Sequence, residues 1–348
     1  MAGPSPIPGV ARSAPRPEFP QAGFPWPGSR ATVPRGTEVA LQLSENLRGA
    51  LAMSVAMAAF TVNDALMKAV TQTMPLFQAI ALRGLVTLPM LLACGWASGG
   101  LRWRIPRPDR FLLALRAGAD VLATVMYLTA LMMLPLANLV AILQSVPLAV
   151  TLAAALWLKE PLGWRRLTAI LIGFGGVLLI VRPGAEGFNL WSLLGLASVG
   201  CVVARDLSTR RLGGRLPATT VAFWTSAAVT AMGLVGLTRS GVAPVAMAEM
   251  MQILGAAVAL IVGYLAIVLA MRGGDIGVVS PFRYTALVWA IGLGWLLFGN
   301  LPDGLTLAGS AIVTATGIFT LWRESRLRRR LREASVDITR DSPYTPPT

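Results

Sequence analysis

The chain has 348 residues, 55% of them hydrophobic and only 13% charged, and its mean hydropathy is +0.65. Soluble domains carry about 25% charged residues, so the composition indicates an integral membrane protein. The net charge of +14 does not indicate nucleic-acid binding, because the basic residues concentrate in short loops and both tails. The chain contains no histidine, which removes His-based catalysis and His metal ligands. We therefore expect no metal, no cofactor and no catalytic residue.

The first 46 residues are rich in proline, glycine, alanine and arginine and show no apolar periodicity. This composition predicts a disordered N-terminal tail over 1–46, unless an incorrectly assigned start codon has added the segment. A signal peptide is not expected, because no apolar core follows the basic residues of the segment.

Ten apolar segments follow the tail. They cover about 49–70, 75–96, 111–133, 135–158, 164–181, 190–211, 217–238, 249–271, 276–298 and 304–322. Each is close to the ~20 residues that span the hydrocarbon core of a bilayer. Backbone polar groups in lipid must be satisfied within the segment, so each segment should be a helix. The predicted fold is an all-α integral membrane protein with ten transmembrane helices.

The basic residues between these segments predict the orientation. With the N-terminus inside, eleven lie in cytoplasmic loops and three lie outside. The inner residues are Arg102, Arg104, Arg107, Arg110, Lys159, Arg165, Arg166, Arg210, Arg211, Arg215 and Arg272, and the outer ones are Lys68, Arg182 and Arg239. By the positive-inside rule, both termini should be cytoplasmic in a multi-pass protein of the inner (plasma) membrane.

The two halves of the chain match at an offset of about 140 residues. Aligned pairs are Asp64 with Asp206, Lys68 with Arg210, Pro75 with Pro217, Ala130 with Ala270, Leu139 with Val279, and Trp157 with Leu297. The repeating unit has five helices, and an odd number makes the second copy enter the membrane from the opposite side. The pattern predicts two inverted repeats over 47–183 and 188–323, followed by a basic cytoplasmic tail over 324–348.

Short motifs across residues 49–322 carry a family resemblance. They are Arg48-Gly49-Ala50, Asn63-Asp64-Ala65-Leu66-Met67-Lys68, Arg83-Gly84, Ala130-Leu131, Leu136-Ala137 and Lys159-Glu160-Pro161. The chain thereby resembles the EamA-type, RhaT-like transporters of the drug/metabolite transporter superfamily. The resemblance implies two five-helix repeats and a carrier of small metabolites that works by alternating access. One departure is that the first repeat has Glu160 after its fourth helix, where the second has Asn300.

Ionisable residues deep in the predicted helices are the first candidates for substrate binding, because a charge in the membrane is costly. Arg83, Asp120 and Arg283 lie about 12, 14 and 10 Å from the ends of their segments. Asp120 could instead form a structural pair with Arg116, four residues earlier. The arginines could instead be capped by carbonyls or paired between helices.

Polar and aromatic side chains near these charges complete the predicted substrate site, namely Tyr127, Gln144, Tyr284 and Trp289. The alternative for such residues is helix packing or anchoring at the membrane interface.

The pairs Asp64–Lys68 and Asp206–Arg210 occupy equivalent repeat positions and are predicted to act as gates at opposite faces. The alternative is that each is a helix-end ion pair with a snorkelling basic member.

These features predict a secondary transporter, not an enzyme. The substrate should be a small metabolite with an anionic or zwitterionic character, since arginines outnumber acids among the deep charges. Asp120 could bind a substrate amine or carry a coupled proton. The expected partners are the metabolite and the lipid bilayer, without nucleic acid, and the protein could be a monomer or a homodimer. The alternative function is a membrane-embedded lipid-phosphate or sugar-lipid transferase, or a flippase-like protein.

Overall fold

A computed structural model describes the backbone of residues 35–98, 100–157, 159, 162–183, 189–212, 215–272 and 275–340. Glu160 and residues 1–34 of the predicted tail lie outside these ranges.

The described chain is helical throughout its membrane-length segments. The helices are α1 (Arg35–Val70), α2 (Leu76–Ala97), α3 (Arg107–Met133), α4 (Leu136–Leu143), α5 (Val146–Trp157), α6 (Trp164–Val181), α7 (Leu190–Leu212), α8 (Ala218–Ser240), α9 (Met247–Arg272), α10 (Ile276–Val279), α11 (Thr285–Phe298) and α12 (Gly304–Arg340). A 3₁₀ helix over Ser280–Tyr284 joins α10 to α11. The described part contains ten segments long and apolar enough to cross a membrane. This confirms the all-α membrane fold.

Two helices begin or end beyond the predicted boundaries. α1 starts at Arg35, so residues 35–46 are helical where a disordered tail was expected. α12 continues to Arg340, well into the predicted C-terminal tail. Both extensions contain many glutamate, leucine and arginine residues, whose helix propensity offsets the lack of an apolar membrane face.

Two helices predicted as continuous are broken. The segment predicted at 135–158 divides into α4 and α5 around Gln144 and Ser145, and the segment predicted at 276–298 contains the 3₁₀ turn. Proline explains both breaks. Pro147 cannot donate to the carbonyl of Leu143, and Pro281 lies in the first turn of the 3₁₀ helix. A proline ring also clashes with the carbonyl four residues earlier.

The helix pairing relates the two halves of the chain. α2 packs on α8, α6 packs on α12, and α3 packs on α7. Met53 and Ala56 of α1 pack against Ala266 and Ala270 of α9. If the first five spans are exchanged with the second five, the α2–α8 and α6–α12 pairs stay the same. The α3–α7 pair becomes the α9–α1 pair. This is the pairing that the predicted inverted repeat requires.

The α6–α12 pair is antiparallel and very close. A Cβ added at Gly176 of α6 would lie 2.8 Å from the carbonyl oxygen of Gly309 in α12, and one added at Gly309 would lie 2.5 Å from that of Gly176. An Arg166–Glu324 ion pair at 3.0 Å lies towards the start of α6.

At the other end of this pair, Arg182 bonds to Asp303, which caps α12 by accepting a hydrogen bond from the Thr306 amide. The hydrogen bond from Arg182 lowers the pKa of Asp303 to about 2, so the Arg182–Asp303 pair stays charged at neutral pH.

Candidate functional site

The first polar cluster lies among α1, α2 and α3, and we call it the Asp64 cluster (Asn63, Asp64, Arg83 and Tyr127). Asp64 accepts hydrogen bonds from the Asn63 amide nitrogen at 2.9 Å and from the Tyr127 hydroxyl at 2.7 Å. Arg83 donates to the Asn63 amide oxygen at 3.2 Å. Asn63 is 4% exposed and therefore links the acid of α1 to the arginine of α2 inside the bundle.

The second polar cluster lies between α3 and α7, and we call it the Arg205 cluster (Arg116, Asp120, Arg205, Asp206 and Thr209). Arg205 Nη1 donates to Asp120 Oδ1 at 2.9 Å, and Arg205 Nε donates to Asp206 Oδ1 at 3.0 Å. Arg116 Nη1 donates to the Thr209 hydroxyl at 2.6 Å. One guanidinium thus bridges two carboxylates across two helices, which is the fork geometry that arginine favours.

The two clusters share one face of α3. Asp120 and Tyr127 are seven residues apart, which is two helical turns or about 10 Å along the axis. Tyr264 of α9 lies near both clusters, since Arg83, Asp120 and Arg205 are all within electrostatic range of its side chain. The clusters therefore form a polar column through the middle of the bundle.

The side chains of the Arg205 cluster are partly accessible. Asp120, Asp206 and Arg205 are 16%, 29% and 30% exposed. Because a charge facing hydrocarbon is expensive, this exposure indicates a space between the helices that admits solvent or a small polar molecule.

The formal charges of the two clusters balance. Their members are three arginines, Arg83, Arg116 and Arg205, and three aspartates, Asp64, Asp120 and Asp206. The balance differs from the excess of arginine expected from the sequence, because Asp64 and Asp206 belong to the clusters whereas Arg283 does not.

Lys68 does not pair with Asp64 as the sequence predicted. Its ammonium donates to the backbone carbonyls of Leu131 at 2.5 Å and Leu134 at 2.7 Å, and it lies 5.5 Å from the centre of the Phe298 ring. The reason is Pro135, which has no amide hydrogen to offer the Leu131 carbonyl at the end of α3. Lys68 is 6% exposed, so it does not snorkel.

In the predicted gate pair Asp206–Arg210, Asp206 accepts a hydrogen bond from Arg205, its neighbour in sequence. Arg210 is exposed one turn further along α7. Asp64 and Asp206 nevertheless keep equivalent places, each six residues before the end of its helix at Val70 and Leu212.

The contacts recorded for the residues predicted on the ninth span are with the α4–α5 break and α12. Gln144, at the α4–α5 break, donates to the Arg283 backbone carbonyl at 3.3 Å, so the two helix breaks contact each other. Tyr284 is 4% exposed and its hydroxyl packs against Gly317. Trp289 is 44% exposed on an apolar helix, which is the exposure expected of a side chain that faces lipid.

Sequence reasoning did not assign a site role to Asn63 or Tyr264. Asn63 stands beside an aspartate, and Tyr264 is one of four tyrosines in the chain. A tyrosine within an apolar span was the signal that could have identified it.

Comparison with known proteins finds similarity over part or most of the chain. Residues 47–182 match the EamA-like transporter family. The chain is 30% identical to a riboflavin transporter of Vibrio cholerae over 55% of this chain and 64% of that protein. It is 26% identical to the pseudopaline exporter CntI of Pseudomonas aeruginosa over 78% of this chain and 94% of that protein. It is 24% identical to an S-adenosylmethionine uptake transporter of Rickettsia conorii over 55% of this chain and 64% of that protein.

A solved structure with 22% sequence identity superposes with a TM-score of 0.58, covering 82% of this chain and 99% of the other. This likeness supports the fold. Residues 47–182 therefore match an EamA-like domain, and the relatives of the chain are named as transporters of small molecules.

Proposed function

We propose that the protein is a secondary transporter that carries a small metabolite across the inner membrane by alternating access. The observation that carries the proposal is the polar column formed by the Asp64 and Arg205 clusters. Six charged side chains at membrane depth are far more than helix packing needs, and intramembrane charges mark substrate and ion pathways. The names of the relatives, which include uptake transporters and an exporter, support a carrier of small molecules.

The substrate of the proposed transporter is anionic or zwitterionic, and the charge balance favours a zwitterion. Arg205 forms ion pairs with both Asp120 and Asp206. An anionic group that takes Arg205 leaves a carboxylate unpaired, and an unpaired buried charge is costly. A substrate that also carries an amine replaces the lost partner at Asp120. An arginine–carboxylate bond and an amine–Asp120 bond would then form together.

The proposed gates lie at the two ends of the column. Asp64 and Asp206 are near opposite faces if the predicted inverted topology holds, because α1 and α7 then run in opposite directions. Lys68 fastens the end of α1 to the α3–α4 turn and approaches Phe298 at the end of α11. Opening that face requires these contacts to separate. Any proton coupled to transport would be carried by Asp120, between the two gates.

The proposal is tested by transport into proteoliposomes, with substrates first selected from a metabolite panel by the thermal stabilisation of purified protein. Arg205→Gln leaves Asp120 and Asp206 without their shared partner, so transport should fall by at least tenfold, or about 1.4 kcal/mol. The double variant Arg205→Gln with Asp206→Asn restores charge balance and should recover stability but not transport. Arg239→Gln, at an exposed arginine of α8, is the matched control.

Two results would contradict the proposal. Undiminished flux of a stabilising zwitterion in Arg205→Gln would remove the column from the substrate path. Stabilisation by permanent cations alone would reverse the assigned substrate charge.

A further inference from the structure

A groove on the outer surface lies between α6 and α12. Its volume is about 390 Å³, and it is lined by Arg165, Thr168, Ala169, Ile172, Ala315, Thr316 and Phe319. Ile172 and Phe319 are 58% and 40% exposed. Exposed apolar side chains on membrane-length helices face hydrocarbon, so the wall of the groove is suited to an acyl chain. The groove is separate from the polar column.

The mouth of the groove is strongly basic. Arg165 stands in the first turn of α6, and Arg323 and Arg326 stand near the end of the membrane-length part of α12. Arg166 forms its ion pair with Glu324, the acidic residue nearest to these arginines in sequence. Three arginines therefore surround the mouth in addition to the neutralised pair.

Aromatic side chains mark the membrane interface at the same level. Trp164 and Trp322 are 70% and 46% exposed at the ends of their spans, where tryptophan lies at the headgroup region. The Arg165 guanidinium lies 5.2 Å from the Trp164 ring, and the Arg326 guanidinium lies 4.0 Å from the Trp322 ring. Stacking restrains each guanidinium and leaves its in-plane N–H groups able to bind a phosphate.

We propose that this groove is a binding site for one anionic phospholipid. Its acyl chain lies along Ile172, Ala315 and Phe319, and its phosphate is bound by Arg165 with Arg326. A basic mouth between transmembrane helices, joined to an apolar groove, is the chemistry that recognises anionic headgroups. The bound lipid would brace the α6–α12 pair beside the close approach of Gly176 and Gly309.

The full chain is purified in detergent with equal amounts of phosphatidylglycerol and phosphatidylcholine, and retained lipid is counted by native mass spectrometry. One phosphatidylglycerol per chain should be retained in preference to phosphatidylcholine. Arg165→Gln should lower its retention about fivefold, the effect of one basic residue near an anionic surface. Ala315→Trp fills the groove without changing charge and should lower retention of the same lipid.

Each variant has a matched control. Arg239→Gln removes an exposed arginine from the end of α8, and Ala311→Trp enlarges an exposed alanine one turn from Ala315 outside the groove. Both should retain phosphatidylglycerol as the unmodified protein does. Equal retention in Arg165→Gln and Arg239→Gln, or in Ala315→Trp and Ala311→Trp, would overturn the site. Equal retention of the two lipids by the unmodified protein would overturn its selectivity.

Discussion

Gln78 of α2 and Thr220 of α8, 142 positions apart, make matching contacts with opposite connecting segments. The Gln78 side chain donates to the Ala243 carbonyl and accepts from the Ala243 amide, both at 2.8 Å. The Thr220 hydroxyl donates to the Gly100 carbonyl at 3.1 Å and accepts from the Arg102 amide at 2.9 Å. Gln78 therefore binds α2 to the segment after α8, and Thr220 binds α8 to the segment after α2. Contacts that recur at the repeat offset are what a repeat of the two halves would produce, and the inverted repeat stays a prediction.

Gln78→Ala should destabilise the protein by about 1 kcal/mol, because two half-buried backbone groups of Ala243 lose their partner. Thr220→Val, which keeps the shape of the side chain, should act in the same direction. Thermal unfolding in detergent measures both effects. Gln72→Ala, at an exposed glutamine in the turn after α1, is the control and should leave the melting temperature unchanged. Equal melting temperatures for the Gln72 and Gln78 variants would show that the contact contributes no stability.

The orientation is tested with single cysteines in a background where Cys94 and Cys201 are replaced. A cysteine at Val242, which is 72% exposed between α8 and α9, should react with an impermeant reagent added outside the cell. A cysteine at Arg104, which is exposed before α3, should react only after permeabilisation. The expected pattern follows from the distribution of basic residues. The reverse pattern would place both termini outside.

Asp64→Asn and Asp206→Asn should bias access in opposite directions. Each change removes a carboxylate from a hydrogen-bonded charge network near one end of the bundle, which weakens closure at that end. Accessibility of engineered cysteines in the column, labelled from each side, measures the bias. Glu45→Gln, at an exposed acid of α1, is the control. If both aspartate variants label like the control and transport normally, the clusters have only a structural role.

Gly176→Ala and Gly175→Ala, at adjacent positions, should change the stability of the protein in opposite directions. The new Cβ at 176 would approach the Gly309 carbonyl oxygen at 2.8 Å and Ile312 at 3.0 Å, so the α6–α12 pair must separate, at a cost of about 1–3 kcal/mol. No atom of the described structure lies within 4 Å of a Cβ at 175. Alanine there should stabilise the helix by up to about 1 kcal/mol. Melting temperatures of the two variants give the comparison, and equal values would contradict the close approach.

The sequence predicted the spans well and the side-chain partners poorly, for physical reasons. Span length depends on composition, which is local information. Partner choice depends on which helices meet, and the spacing of Asp64 and Lys68 could not reveal that Pro135, between α3 and α4, leaves the Leu131 carbonyl for Lys68. Arg83 and Asp120, which were selected by depth, both lie in the polar column. Trp289 was selected by its nearness to charges in sequence, and an aromatic residue fits lipid as well as a ligand.

The equal number of arginines and aspartates in the two clusters has an electrical consequence. In the proposed cycle, the unloaded protein moves no net charge of this column when it reorients. The membrane potential, which acts with about 2.3 kcal/mol per elementary charge per 100 mV, therefore has little influence on that step. The voltage would act only through the net charge that the substrate or a coupled ion adds. A neutral zwitterion carried alone would cross at a rate independent of the membrane potential. Any measured current would therefore indicate that an ion is transported together with it.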